Sequence, residues 1–317
     1  MILSFAGNPS VDKTLLVDSL AVGEINRPTD FVQVPGGRGL NAARAARTLG
    51  GDVLVSGFVG GFAGRWIAAE LERRGVKCEF VAGPVETRAR LTVIDAASGR
   101  MTGFSEVPRP IAAADWDHLE RTLETLIDKS TWVALAGSLP PGAPDDAYAR
   151  LVNAVHRVGG GVVVDTQGAH LAEAIAAKPD IVKVSVAEAA ELLGATLSDT
   201  PAGALEAARE IRRRGAPTPT GHFPCVVITF RGRGALALTP DDSGIVIEPV
   251  AIGPYRAGSG DAFLAGMLVA LDRDDGWADV FRLAAGAAAA NAEMPGAGRL
   301  DAGRARELAS AARLKHV

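Results

Sequence analysis

Cysteine is scarce: the 317 residues contain two, Cys78 and Cys225. Both sit inside apolar runs, Val76 to Val81 and Pro224 to Ile228, without metal-ligand spacing. The pattern favours buried, reduced thiols and a cytoplasmic compartment. No basic segment followed by an apolar core opens the sequence, and no apolar run reaches the roughly 18 residues that a membrane span needs. An excess of positive charge is missing too. With a net charge of −4 and a pI of about 5.8, no global field draws the protein to nucleic acid or a membrane, so local basic residues need local reasons. A regular G-x-G-x-x-G is lacking, because Gly57, Gly60, Gly61 and Gly64 fit a dinucleotide turn only loosely, which leaves a nicotinamide cofactor little support. Neither an internal repeat, nor a low-complexity linker, nor a long charge block divides the chain.

What is present is an ordinary globular composition, 48% hydrophobic and 22% charged, in a chain long enough for one large α/β domain or two smaller ones. Ile2 to Ala6 reads as a buried strand that turns at Gly7-Asn8-Pro9. Ser10 to Val34 has scattered apolar residues without a helical period, which suggests short strands with one wet face, and Arg88 to Ile94 with Met101 to Glu106 extends that sheet through a turn at Ser98-Gly99-Arg100. Elsewhere a rhythm of strand, glycine turn and helix predominates. Strands are expected at 53–59, 132–136, 162–164, 181–185, 226–230, 235–238 and 245–249. Helices are expected at 42–49, 63–74, 145–158, up to Leu193, 202–214, 277–291 and 301–312, and 216–224 reads as a surface loop. Polar groups where apolar strands stop, such as Asp165-Thr166, are natural ligand positions in an open parallel sheet.

Chemistry concentrates in Arg256-Ala257-Gly258-Ser259-Gly260-Asp261, which runs straight into an apolar helical pattern. A helix start with small residues leaves its first N–H groups uncovered, and its macrodipole supplies about half a positive charge, enough to favour a phosphoryl group in flight. Asp261 then has two readings. A carboxylate in a first helical turn is commonly a plain dipole-compensating residue, whereas the preceding glycines allow a ligand close approach and make Asp261 a candidate general base. Pro35-Gly36-Gly37-Arg38-Gly39-Leu40-Asn41 makes a second flexible turn into a helix start.

These stretches, taken together, carry a resemblance. Asn8-Pro-Ser-Val-Asp12, Gly23-Glu-Ile-Asn-Arg27, Gly36-Gly-Arg-Gly-Leu-Asn41, Glu86-Thr-Arg88, Gly137-Ser-Leu-Pro-Pro-Gly142, Asp165-Thr-Gln-Gly168 and Gly258-Ser-Gly-Asp261 occur in the order seen in ribokinase-like (PfkB) carbohydrate kinases. The sequence is most similar to the 1-phosphofructokinase and tagatose-6-phosphate kinase group. The resemblance implies an α/β fold, a doubly wound, mostly parallel sheet flanked by helices. It implies one kinase domain over 1–317 with a small β-sheet lid from about 11–34 and 88–106, and a homodimer formed through the lid. It further implies that Asp12, Asn41, Gly36 and Gly37 hold sugar hydroxyls, and that Arg27, Arg38, Arg88 and Arg90, with Ser138, surround a phosphate already on the sugar. Asp261 would be the base, with Gly258, Ser259 and Gly260 around the transferring phosphoryl group. ATP would meet Lys183, Ser185, Thr229, Gly232, Gly234, Ala257, Gly258 and Asn291, and Glu188 would position hydrated Mg2+.

The sequence departs from that pattern on the nucleotide side. Lys183-Val184-Ser185-Val186-Ala187-Glu188 stands where Lys-Pro-Asn and a later Glu are usual, and Arg231 stands where a glycine is common. The reading that follows is an ATP- and magnesium-dependent kinase of a phosphorylated ketohexose: fructose 1-phosphate, tagatose 6-phosphate or fructose 6-phosphate. Against it stand a kinase of the same fold for an unphosphorylated sugar or nucleoside, for which clustered arginines have no use, and a non-catalytic sugar-phosphate sensor, against which Asp261 and Glu188 argue.

Overall fold

The computed structural model describes residues 1–215, 224–230, 232–251 and 253–317. Arg231 and most of the expected 216–224 loop therefore lie outside the described residues. The strands are β1 (Ile2–Ala6), β2 (Ser10–Val17), β3 (Asp30–Gly36), β4 (Val53–Val59), β5 (Lys77–Cys78), β6 (Val81–Ala82), β7 (Ala89–Asp95), β8 (Met101–Ser105), β9 (Trp132–Ala136), β10 (Gly161–Asp165), β11 (Ile181–Ser185), β12 (Cys225–Thr229), β13 (Ala235–Leu238), β14 (Gly244–Ile247) and β15 (Leu314–His316). The helices are α1 (Arg38–Thr48), α2 (Gly61–Arg73), α3 (Ala113–Ile127), α4 (Ala147–Arg157), α5 (Gly168–Ala176), α6 (Val186–Leu193), α7 (Pro201–Arg214), α8 (Ser259–Asp272), α9 (Trp277–Ala292) and α10 (Ala302–Ala311). Among them no helix is long and apolar enough to cross a membrane.

The large sheet runs β15-β14-β13-β12-β11-β10-β9-β1-β4-β5. It is parallel from β12 to β5 and antiparallel from β12 to β15. Side chains alternate across it. Val133, Leu135, Val162, Val164, Val226 and Ile228 join one apolar cluster with α3, α4, α5 and α7, while Ala134, Val163 and Val227 join the other with α1, α8, α9 and α10. Helices on both faces explain why these strands read as unbroken hydrophobic runs. Phe5 anchors the first cluster, edge-on to the fully buried Trp116 and Tyr148 at ring distances of 6.4 and 5.9 Å. Burying a side chain of that size contributes about 1.5–3 kcal/mol.

A second, four-stranded sheet runs β3-β2-β7-β8. Its cover is uneven: β8 is exposed throughout, whereas Val34, Pro35 and Gly36 at the end of β3, and Val93 and Ile94 in β7, are buried. Gly36 leads straight to α1, so the small sheet and the helix that opens the site are joined by a single residue, Gly37.

Three expectations are corrected. α1 begins four residues before Ala42, because Gly37 at φ 99° ends the strand abruptly and lets Arg38 start the helix. α3 and α5 fall in stretches for which no element was expected. Cys225 is buried, but Cys78 is only half-buried, since β5 is a two-residue strand at the edge of the large sheet. Both cysteines are free thiols, and burial pushes Cys78 up to about 12.

Candidate active site

Polar groups collect where β1, β9, β10 and β11 end and α1 and α8 begin. Gly258 caps α8 at φ 81°, a left-handed conformation suited to glycine. A side chain there would also strike Gly298 N and Ala297 Cα at 2.5 and 2.6 Å. Among the described residues no side chain caps α8, and Gly260 in its first turn lines two cavities at once. Asn291, expected beside ATP, is fully buried one layer behind. Its Nδ2 donates to Ala257 O at 2.9 Å and Ser259 Oγ at 3.3 Å, and its Oδ1 accepts from Gly298 N at 2.7 Å. Its amide is thus committed to shaping the glycine turn.

Asp261 accepts a 2.8 Å hydrogen bond at Oδ2 from Asn41 Nδ2. Burial and the neighbouring Asp165 raise its pKa to about 6, against the Asn41 bond and the charges of Lys183 and Arg38. Asn41 was expected to hold sugar hydroxyls. Both ends of its amide also have partners within the protein, since Oδ1 accepts from Arg44 Nη2 at 2.7 Å.

Arg38, expected beside the sugar phosphate, lines a small cavity together with Arg88, Arg90 and Ser138. Its guanidinium is also engaged by acids: Nη1 donates to Asp165 Oδ1 at 2.8 Å, and Nη2 donates to Glu188 Oε1 at 2.5 Å and Gln167 Oε1 at 3.2 Å. Burial would lower its pKa, but Asp165 and Glu188 carry it upward. Lys183, almost wholly buried, completes the group by donating to Asp165 Oδ2 at 2.5 Å. Ser185 and Glu188 form a reciprocal cap on α6, with Ser185 N donating to Glu188 Oε2 at 2.7 Å. Burial opposes ionisation of Glu188, yet Arg38 and the Ser185 bonds bring its pKa below the ordinary value.

Arg88 and Arg90 lie together on the other side of Arg38. Arg88 Nε donates to Asn8 Oδ1 at 2.8 Å, and Asn8 Nδ2 donates to Ser138 Oγ at 3.1 Å. Burial and the Arg90 charge depress Arg88, which makes the pair receptive to an anion. The Gly137 carbonyl beside Ser138 is fixed by bonds from Tyr148 Oη and Thr166 Oγ1, each 2.8 Å. Asp12 pairs in register with Arg90, and its carboxyl lies so close to Gly36 that a Cβ there would come within 2.1 Å of Cγ. Arg27 is exposed in the connection between β2 and β3 and lines none of these cavities.

Three cavities follow one another through shared walls. A small one of about 130 Å³ is lined by Asn8, Gly37, Arg38, Arg88, Arg90 and Ser138. It shares Arg38 and Gln167 with one of about 470 Å³ that holds Lys183, Ser185, Glu188 and Asp261. That one shares Thr229 and Gly260 with a third of about 440 Å³, walled by Gly232, Gly234, Val250, Phe263, Ala285 and Ala289. Asn8 and Gln167 are site residues not singled out from the sequence, whereas Asp165 stands there as a natural ligand position. Their signal was position: Asp165 ends β10, and Asn8 and Gln167 stand two residues past the ends of β1 and β10.

The chain resembles known proteins along nearly all of its length. It is 34% identical over 288 residues to 1-phosphofructokinase of Haloferax volcanii, covering 89% of this chain and 88% of that protein. It is 31% identical over 278 residues to 1-phosphofructokinase of Rhodobacter capsulatus, covering 87% and 85%. A crystal structure from Thermotoga maritima, of a possible 1-phosphofructokinase, superposes with a TM-score of 0.89 at 21% identity over 100% of this chain and 99% of that one, a likeness of fold. Residues 6–302 match the family described as pfkB family carbohydrate kinase. A half-buried carboxylate at an open helix start, between a cationic and an apolar cavity, is thus carried on a chain that belongs to the pfkB family of carbohydrate kinases.

Proposed function

We propose that this protein transfers the terminal phosphoryl group of ATP to the free primary hydroxyl of a phosphorylated ketohexose, giving a ketose bisphosphate such as fructose 1,6-bisphosphate from fructose 1-phosphate. The observation that carries the proposal is Asp261, half-buried and with a pKa raised to about 6, in the cavity that joins the Arg88 and Arg90 wall to the apolar chamber. A base poised near neutrality is what proton removal from a sugar hydroxyl asks for. Two arginines around a small polar cavity have a use when the sugar already bears a phosphate.

In this reading Arg88 and Arg90, with Asn8 and Ser138, hold the sugar's phosphate, and Asp12 with the Gly36-Gly37 backbone takes its hydroxyls. Asn41 fixes one oxygen of Asp261 and leaves Oδ1 to accept the hydroxyl proton as the sugar oxygen bonds to phosphorus and ADP departs. The start of α8, from Ala257 through Gly258 and Ser259 to Gly260, together with Lys183, stabilises charge on the moving group. Thr229, Gly232 and Gly234, against Val250 and Phe263, suit the nucleotide. Arg38 has a different part from that of a phosphate clamp: it holds Asp165 and Glu188 in place.

Magnesium fits as a companion of the nucleotide. Among the described residues, no three His, Cys, Asp or Glu side chains are grouped to hold a cation, and both oxygens of Glu188 are engaged by Arg38 and Ser185. Glu188 would meet a hydrated ion through water. Bound there, the ion would offset phosphate charge.

The small sheet serves as a lid over a single kinase domain, and a second copy docks on its exposed face, where Phe31 and Phe104 are 60% and 61% accessible. Arg27 reaches the clamp only when that sheet closes or is paired. An ATP-consumption screen with fructose 1-phosphate, fructose 6-phosphate, tagatose 6-phosphate, fructose and ribose tests the proposal. Preference for a phosphorylated ketose supports it; equal or better use of the free sugars would replace it with a neutral-sugar kinase.

A further inference from the structure

Behind the site, at the far end of α1, four arginines surround a separate cavity of about 460 Å³: Arg44, Arg47, Arg74 and Arg299, with Thr48. It shares no lining residue with the three cavities of the active site. Among the described residues no carboxylate lines it. Arg74 is held from outside by Glu70 at 2.7 Å. Arg299 donates to Pro295 O at 2.9 Å, and Arg47 makes a long 3.4 Å contact with Gly51 O.

Arg44 is the unusual member. It is 3% accessible, and its Nη1 is buried without a hydrogen-bond partner among the described residues. Its other nitrogens are used: Nε donates to Pro35 O at 3.0 Å, and Nη2 to Asn41 Oδ1 and Ala297 O at 2.7 and 2.6 Å. Burial and the nearby Arg74 charge bring its pKa down to about 9, and burial with Arg74 lowers Arg299 as well. A buried guanidinium donor left unpaired among like charges is costly unless an anion accepts from it. In a chain of net charge −4, so concentrated a group of cations is a local device.

We infer that this cavity is a second anion site, which takes a small phosphate compound of two or more negative charges and is coupled to the active site through Arg44, Asn41 and Asp261. Forked guanidinium donors match phosphate oxygens, and the cavity volume exceeds what a lone phosphate fills. The coupling runs through two hydrogen bonds, Arg44 to Asn41 and Asn41 to Asp261. Asp261 is also faced by Asp165, Lys183 and Arg38, which lie on the active-site side. An anion at Arg44 offsets a cation that favours ionised Asp261, so binding shifts the carboxyl toward its protonated form.

The anion site does not depend on the kinase reading; the coupling rests on Asp261 as base, and the test separates them. Inorganic pyrophosphate is titrated calorimetrically into the full chain at constant ionic strength. The double variant R47Q/R299Q should weaken binding by roughly tenfold or more, keep activity without pyrophosphate within about twofold, and melt as the parent does, whereas Arg88→Ala should leave this binding unchanged. No binding to the parent protein, or binding lost in Arg88→Ala and kept in the double variant, would overturn the site. Saturating pyrophosphate should move the acid limb of the pH–rate profile to higher pH in the parent and not in R47Q/R299Q. An unmoved limb with binding intact would overturn the coupling. Asp261→Asn identifies the limb: if the limb survives that change, the base assignment fails and the anion site stands.

Discussion

One helix, α1, presents arginine in two opposite settings. At its start Arg38 is met by Asp165, Glu188 and Gln167. Towards its end Arg44 and Arg47 are met by Arg74 and Arg299. The residue type is the same, and the partners decide its use. Where carboxylates answer the charge, arginine is a fixed structural cation that organises acids, and a substrate adds to a set already balanced. Where cations answer it, the balance is incomplete, and an external anion completes it. Arg88 and Arg90 stand between these extremes: Asp12 is near, yet burial and the Arg90 charge lower the pKa of Arg88.

The contrast breaks most strongly when the acid side is removed. Asp261→Asn keeps shape and the contact to Asn41 but cannot accept a proton. Turnover should fall about 10²- to 10⁴-fold with sugar-phosphate affinity nearly intact, whereas Arg47→Gln at the far end should change turnover less than about twofold. Steady-state kinetics on both variants, with direct binding of the sugar phosphate, decide the matter; full turnover in Asp261→Asn removes it from the mechanism.

Arg88→Ala probes the intermediate setting. It removes charge-assisted contacts worth roughly 1.5–3 kcal/mol each, so kcat/KM for the phosphorylated sugar should drop about 10- to 100-fold. ATP use should barely move. Any weak activity on the same sugar without its phosphate should be unaffected, because the lost contact was never made; an equal drop on both sugars would make Arg88 a structural residue of the Asn8 and Ser138 network.

Glu188→Gln sharpens the carboxylate end. Arg38 would keep a neutral acceptor in place of an ion pair, and a magnesium-bound water would lose its negative partner. The magnesium concentration needed for half-maximal rate should rise roughly tenfold, the lower end for groups that touch a metal through another group. An unchanged requirement would leave Glu188 as the cap of α6 alone.

Much of this was legible in sequence, for separable reasons. The strands at 53–59, 132–136, 181–185 and 235–238 match the structure residue for residue, because a sheet covered on both faces writes itself as apolar runs. Trp116, Leu119, Leu123, Leu126 and Ile127 mark α3 by their period, but nothing chemical draws attention to that stretch. Gly258-Ser-Gly-Asp261 could be read as an open helix start because glycine and burial have local signatures. Partners across the fold have none. Arg38 lies 127 residues from Asp165 and 150 from Glu188, so its company had to come from the fold, and so did the other arginines facing Arg44.

Asn41 carries the smallest effect and the finest test, because it links the two ends of α1. If its amide serves the sugar, Asn41→Ala raises KM and leaves the pH profile alone. If it serves Asp261, the profile moves. Its N–H donation favours the ionised carboxylate and holds the pKa below what burial would give, so losing it raises a value already near 6. The base is then protonated over a wider range, and the acid limb of kcat/KM should move to higher pH by about one unit or less. At pH 7 this amounts to roughly a twofold loss, recovered by pH 8. Recovery at high pH is what a general loss of packing would not produce, and a limb that stays near 6 while KM rises would return Asn41 to the sugar.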